Sequence, residues 1–143
     1  MEAAQQHLEQ YVEVEIGSEK YALPINDIHE IIKMQEITDL PTHRAYLKGV
    51  INLRGRIVPV ISLRSRFGME EAAYTKWTSI VVVNYMNENI GIIVDRVNRV
   101  TTFLDIQDPP DQIDSEHGYF FSGIGRTEDY LVSILKLDRV LEE

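Results

Sequence analysis

The sequence has no cysteine among its 143 residues. Disulfides, thiolate metal sites and a cysteine nucleophile are therefore excluded, and a reducing cytosolic setting fits. Long apolar runs are missing too. Runs such as Ile80–Val83 and Ile90–Val94 are far short of the ~20 residues a membrane helix needs. Residues 1–10 carry neither a basic stretch nor an apolar run, so no signal peptide is expected there. Histidine is sparse: His7, His29, His43 and His117 are scattered without metal-ligand spacing, and no metal site is expected. No Gly-x-Ser-x-Gly elbow occurs, and Ser122 before Gly123 has no histidine partner in the pattern. Gly118, Gly123 and Gly125 lack the spacing of a phosphate loop. Asp108, Asp111 and Asp114 are interrupted by Pro109-Pro110 and lack an EF-hand glycine and terminal ligand. No catalytic residue and no cofactor is assigned.

What is present is acid, unevenly placed. Net charge is −9, which argues against general nucleic-acid binding. Yet residues 41–69 hold six basic residues (Arg44, Lys48, Arg54, Arg56, Arg64, Arg66) and no acid. Residues 104–143 hold ten acids against three bases. One reading is a solvated surface, or two segments that meet each other. The other is a basic patch for an acidic partner.

Apolar period-two patterns dominate. Tyr11–Gly17 puts Val12, Val14 and Ile16 on one face and Glu13 and Glu15 on the other. A turn and a return strand from Tyr21 follow, then one helical turn through Glu30 capped by Asn26 or Asp27. Further strands are expected over Ile31–Ile37, Leu47–Leu53, Ile57–Ile61, Ser79–Tyr85, Ile90–Val94, Val100–Leu104, Tyr119–Ile124 and Leu131–Leu135. Ser62–Phe67 reads as a helical turn, 107–118 as a loop, and Leu137, Val140 and Leu141 as a short C-terminal helix.

The layout recurs. Shifted by 69 positions, Val12, Val14, Leu23, Ile25, Ile28 and Ile31 fall on Val81, Val83, Ile92, Val94, Val97 and Val100. Shifted by 74, Gly49, Val50, Ile57, Val58, Val60, Ile61 and Leu63 fall on Gly123, Ile124, Leu131, Val132, Ile134, Leu135 and Leu137. Five short strands per copy suit a small closed barrel. The expected fold is all-β: two five-stranded barrels packed together, over residues 11–75 and 76–143.

The segment from Tyr46 through Lys48-Gly49-Val50-Ile51-Asn52-Leu53-Arg54-Gly55 to Pro59-Val60-Ile61-Ser62-Leu63-Arg64 resembles the signature of the CheW family, KGVxNLRGxxxPVxDLR. Ser62 alone departs, where the family has Asp. Tyr21 to Ile25 with Ile28 and Glu30, Gly91 to Asp95 with Val97 and Val100, and Tyr119–Gly125 resemble further family blocks. The resemblance implies SH3-like barrels and a stand-alone, non-enzymatic chemotaxis adaptor. Its implied partners are the regulatory domain of the histidine kinase CheA and the helical signalling tip of methyl-accepting chemotaxis receptors. It would be cytoplasmic and reach membrane arrays only through receptors. Family positions place receptor contact at Ile28, Glu30, Gly49, Asn52, Arg54 and Gly55, and kinase contact near Asp95, Val97 and Val100. In better-known relatives an arginine and an aromatic in the 107–118 loop help close rings of kinase and adaptor; Gln107 and Gln112 stand here instead. The rival class is a small β-barrel that binds nucleic acid or another ligand through residues 41–69. It predicts strongly salt-sensitive binding to single strands.

Overall fold

The computed structural model describes residues 9–41, 46–109 and 118–142. Eleven strands run in the order β1 (Tyr11–Ile16), β2 (Glu19–Pro24), β3 (Ile28–Lys33), β4 (Leu47–Leu53), β5 (Arg56–Ser62), β6 (Ser79–Tyr85), β7 (Glu88–Val94), β8 (Arg96–Thr101), β9 (Asp105–Gln107), β10 (Phe121–Arg126) and β11 (Leu131–Leu135). A 3₁₀ turn, Ile25–Asp27, and two single-turn helices, α1 (Leu63–Arg66) and α2 (Leu137–Val140), complete the described elements. Strands β4, β6 and β11 have the bounds their apolar alternation predicts. The turn after β2 ends at Asp27 rather than Glu30. Residues from Ile28 onward instead pair with β6, Ile28 against Val83 and Lys33 against Ser79. Likewise β8 starts at Arg96, ahead of the predicted Val100. Most of the 107–118 loop lies outside the described residues.

The strands form two sheets, β8-β1-β2-β11-β10-β9 and β3-β6-β7-β5-β4. Two SH3-like barrels fit them. The chain divides into one compact unit of Met1–Ile25 with Asn98–Glu143 and another of Asn26–Val97. The sequential halves of the repeat, 11–75 and 76–143, cut the chain at different points. The repeat explains the difference. The shift of 69 turns β6, β7 and β3 into β1, β2 and β8, and the shift of 74 turns β5 and β4 into β11 and β10. The five-stranded order thereby becomes the first five strands of the other sheet. Each copy's leading hairpin thus pairs with strands of the other copy. The register obeys the same rule. Val60 faces Gly91 in the parallel β5–β7 pair, and their shifted counterparts Ile134 and Ala22 face each other in β11–β2.

Each unit has its own core. In the Asn26–Val97 unit Ile51, Val58, Val60, Ile80, Val82 and Ile93 pack together. In the other, Tyr11, Ala22, Phe103, Val132 and Ile134 do so. Close approaches dictate small residues. A Cβ on Gly125 would lie 2.6 Å from the Phe103 ring. One on Gly49 would lie 2.1 Å from the Thr38 carbonyl oxygen.

Strand β1 departs from its pattern at Glu13, which is buried at 1% exposure. Tyr130 Oη donates to Glu13 Oε1 at 2.8 Å and Asn98 Nδ2 to Oε2 at 2.8 Å. Arg99 Nε lies 3.6 Å from Oε1. An unpaired buried carboxylate is costly, so these donors are what let the strand bury this face.

Candidate functional site

The residues predicted from the Asn-Leu-Arg-Gly block lie on the β4–β5 hairpin and, at the other edge of the sheet order, on strand β3, all within the Asn26–Val97 unit. Strands β4 and β5 pair from Leu47–Ile61 to Leu53–Arg56, leaving Arg54 and Gly55 as a two-residue turn. Both have positive φ, 52° and 86°, the requirement of the turn whose twist matches paired strands. Gly55 meets it without strain. Arg54 is a non-glycine held in the left-handed region. The Asn52 side chain holds the turn from within, its Oδ1 accepting the Gly55 N–H at 2.8 Å.

That conformation carries Arg54 to Glu30. The guanidinium Nη2 donates to Glu30 Oε1, and His29 Nε2 lies 3.5 Å from the same oxygen. Strand β3 has a register irregularity between Ile28 and Glu30, and such bulges re-aim side chains. The Arg54 hydrogen bond holds the Glu30 carboxyl below its usual range. The arginine side chain stays 68% exposed, so a charged fork stands ready for carboxylates or carbonyls.

Gly49 has a different role. It is buried, with φ 148°, where β4 bulges between Leu47 and Gly49. Thr38 and Val50 exchange N–H to carbonyl bonds of 2.9 Å each way beside it. The shifted counterparts repeat the device: Gly123 lies 3.1 Å, by its Cβ position, from the Gln107 carbonyl oxygen, and Ile124 pairs with Gln107. Gly49 shapes the strand that carries the site. Ile28 is half-buried on β3, opposite Val83 of β6.

The basic segment is largely neutralised by acids of the same unit. Besides Arg54 on Glu30, Arg64 grips Asp95 with two bonds, 3.0 and 2.6 Å. Lys48 Nζ meets Glu71 Oε2 at 2.9 Å, and the Arg66 guanidinium lies over the Tyr46 ring. The partners Glu30, Glu71 and Asp95 lie outside both the basic and the acidic stretches, so composition by segment did not reveal them. Asp95 is thus a partner of Arg64, while Val97 is half-buried and Val100 is 51% exposed on β8.

Ser62, the one departure from the family pattern in that block, caps α1. Its Oγ accepts the Ser65 N–H at 3.2 Å and donates to Glu71 Oε1 at 2.7 Å. Ser65 Oγ donates to the same oxygen at 3.0 Å. Glu71 brings from the following loop a carboxylate that an aspartate at position 62 would bring itself. Burial pushes the Glu71 carboxyl up, but the hydrogen bonds from Ser62, Lys48 and Ser65 outweigh it and hold the group below the usual glutamate range. A carboxyl lowered by folding adds stability above its unfolded pKa and loses it as pH falls through the folded value. Urea melts should therefore show stability declining as pH falls through and below the ordinary glutamate pKa of about 4.3. Glu71→Gln should be less stable at pH 7, with the gap to wild type closing in acid. A gap independent of pH contradicts the assignment.

Among the described residues no cluster of three or more histidine or acidic side chains is arranged to hold a metal ion. No described helix is long and apolar enough to cross a membrane.

The family profile described as CheW-like domain matches residues 10–143. The chain is 35% identical over 136 residues to the chemotaxis protein CheW of Helicobacter pylori, covering 94% of this chain and 82% of that one. It is 32% identical to the CheW of Thermotoga maritima, covering 90% and 85%. Its backbone superposes on the crystal structure of the scaffolding protein TtCheW from Thermoanaerobacter tengcongensis with a TM-score of 0.85, at 34% identity, covering 94% of this chain and 88% of that one. With sheets, signature hairpin and near full-length similarity in agreement, the chain belongs to the CheW-like domain family.

Proposed function

We propose that this chemotaxis adaptor couples a CheA-type histidine kinase to methyl-accepting chemotaxis receptors and carries out no reaction itself. The Glu30–Arg54 pair, displayed on the exposed turn of the family's signature hairpin, carries the reading. Receptor contact centres on Glu30 and Arg54, with Asn52 and Gly55 fixing the turn and Gly49 and Ile28 shaping its support. The expected partner surface is the helical signalling tip, which presents polar groups and carbonyls the guanidinium fork recognises. The kinase regulatory domain would meet the protein near Asp95, Val97 and Val100. The likeness to TtCheW, a scaffolding protein, supports a non-catalytic role. Such a protein acts by raising the local concentration of kinase at receptors and by passing a conformational bias between two modest interfaces. Its place is the cytoplasm, at receptor arrays.

Calorimetric titration of the purified protein tests this against a receptor signalling-tip fragment and, separately, the cognate kinase regulatory domain. Saturable binding to both is expected. Folded protein that binds neither well above micromolar concentration would overturn the reading. The nucleic-acid alternative is not favoured, because most described cations of the basic segment already have acidic or aromatic partners.

A further inference from the structure

Strand β8 lies at the edge of its sheet, beside β1. None of its six residues is buried, so apolar burial does little to hold it. Side chains tie it to β1 instead. Asn98 Nδ2 donates to Glu13 Oε2 at 2.8 Å and to Glu15 Oε1 at 3.1 Å. Arg99 Nε lies 3.6 Å from Glu13 Oε1, and Tyr130 Oη donates to that oxygen at 2.8 Å. Arg99 and Lys20 both lie against the Tyr130 ring, 5.5 and 4.9 Å from its centroid, and Lys20 Nζ is 3.7 Å from Glu15 Oε1. Two carboxylates thus face two cations. Among the described residues no buried side-chain polar atom lacks a partner.

The barrel itself does not need an acid at this place. The shift of 69 sets Glu13 on Val82, which is fully buried. Valine fills the equivalent position of the other copy with no charge to desolvate. What the carboxylate adds is direction. Its two oxygens accept from Asn98 and Tyr130 in one geometry, and a β8 shifted by one residue would turn Asn98 to the other face. Buried polar contacts can specify a register in this way. Asn98 and Arg99 stand between Val97 and Val100 on the strand, and Val100 is 51% exposed.

We propose that Glu13 is a positioning residue, which fixes the register of β8 and so holds its exposed residues, Val100 above all, ready for the kinase regulatory domain. The role in binding rests on the kinase reading given above; the hold on β8 does not. A loosened β8 would have to be ordered during binding, and affinity falls by that cost.

Hydrogen exchange and calorimetric titration of the full chain test the two parts together. Glu13→Val, which installs the residue of the other copy, should quicken exchange of the 96–101 amides at least ~10-fold, with a smaller change at β2 and β11 of the same unit. Affinity for the kinase regulatory domain should fall about tenfold, with receptor-fragment affinity unchanged. Glu13→Gln should restore both, since its amide oxygen still accepts from Asn98 and its nitrogen can donate to Tyr130 Oη. Asn98→Ala removes the donor on β8 and is the second variant should Glu13→Val fail to fold, which circular dichroism checks. Combining the two should add little to either. Exchange at 96–101 that stays at the wild-type rate in the folded variants, or quickens only in step with β2 and β11, overturns the proposal whatever the kinase domain does. A loosened β8 with full kinase affinity also overturns it, if Val100→Glu abolishes binding. If Val100→Glu binds as the wild type does, the kinase reading of β8 fails, and the positioning role in binding falls with it.

Discussion

Replacing Gly49 with alanine is expected to destabilise the fold by roughly 3–5 kcal/mol. The new Cβ would lie 2.1 Å from the Thr38 carbonyl oxygen and 2.8 Å from Ile37 Cγ2. The first neighbour is backbone and cannot rotate away. The residue would also keep φ near 148°, which costs a side-chain-bearing residue about 1–3 kcal/mol. Relief requires β4 to withdraw from Thr38, losing two backbone hydrogen bonds worth about 1 kcal/mol each. Urea unfolding measures the loss. Gly55→Ala is the comparison, since nothing lies within 4 Å of its Cβ position and only the φ strain applies. If Gly49→Ala melts no earlier than Gly55→Ala, the close approach is not what fixes glycine at position 49.

Arg54→Glu should leave stability nearly intact and lower affinity for the receptor fragment by roughly tenfold or more. The side chain is exposed and its pair with Glu30 lies at the surface, where ion pairs contribute little to folding. The loss of function has two sources. The fork is gone, and a second carboxylate now faces Glu30. Reversing Glu30 to arginine as well would rebuild the internal pair with exchanged ends, yet receptor affinity should stay low because the displayed cation has moved from the turn to β3. Kinase-domain affinity should not change in either variant. A folded Arg54→Glu protein with wild-type receptor affinity would remove Arg54 from the site.

Much of this architecture was legible in the sequence because strands buried on one face repeat every second residue. Ser79–Tyr85 and Leu131–Leu135 could be bounded from Val81, Val83, Val132 and Ile134 alone. The internal repeat was visible as well, but not which strands it pairs. Exchange of the leading hairpins depends on the parallel registers Val60–Gly91 and Ile134–Ala22, and local pattern holds no information about such distant partners. Glu13 reads as a solvent-facing residue for the same reason: its donors Asn98 and Tyr130 come from 85 and 117 positions away. At the site, Arg54 and Gly55 were recognisable as a turn. The 24-residue reach from Arg54 to Glu30 appears only when β3 is folded beside the hairpin. For Gly49, conformational need and contact look alike in a motif. The closeness of the Thr38 carbonyl shows the conformational need.

As an adaptor, this protein should bridge two partners that do not assemble without it. The most direct measurement mixes a receptor signalling-tip fragment held on a particle with soluble kinase regulatory domain, and reads co-sedimentation with and without this chain. Kinase domain should sediment only when the chain is present, and Arg54→Glu should abolish its recruitment while leaving the chain bound to kinase domain in solution. Equal kinase sedimentation with and without the chain, or none in either case although both partners are folded and cognate, would contradict the account.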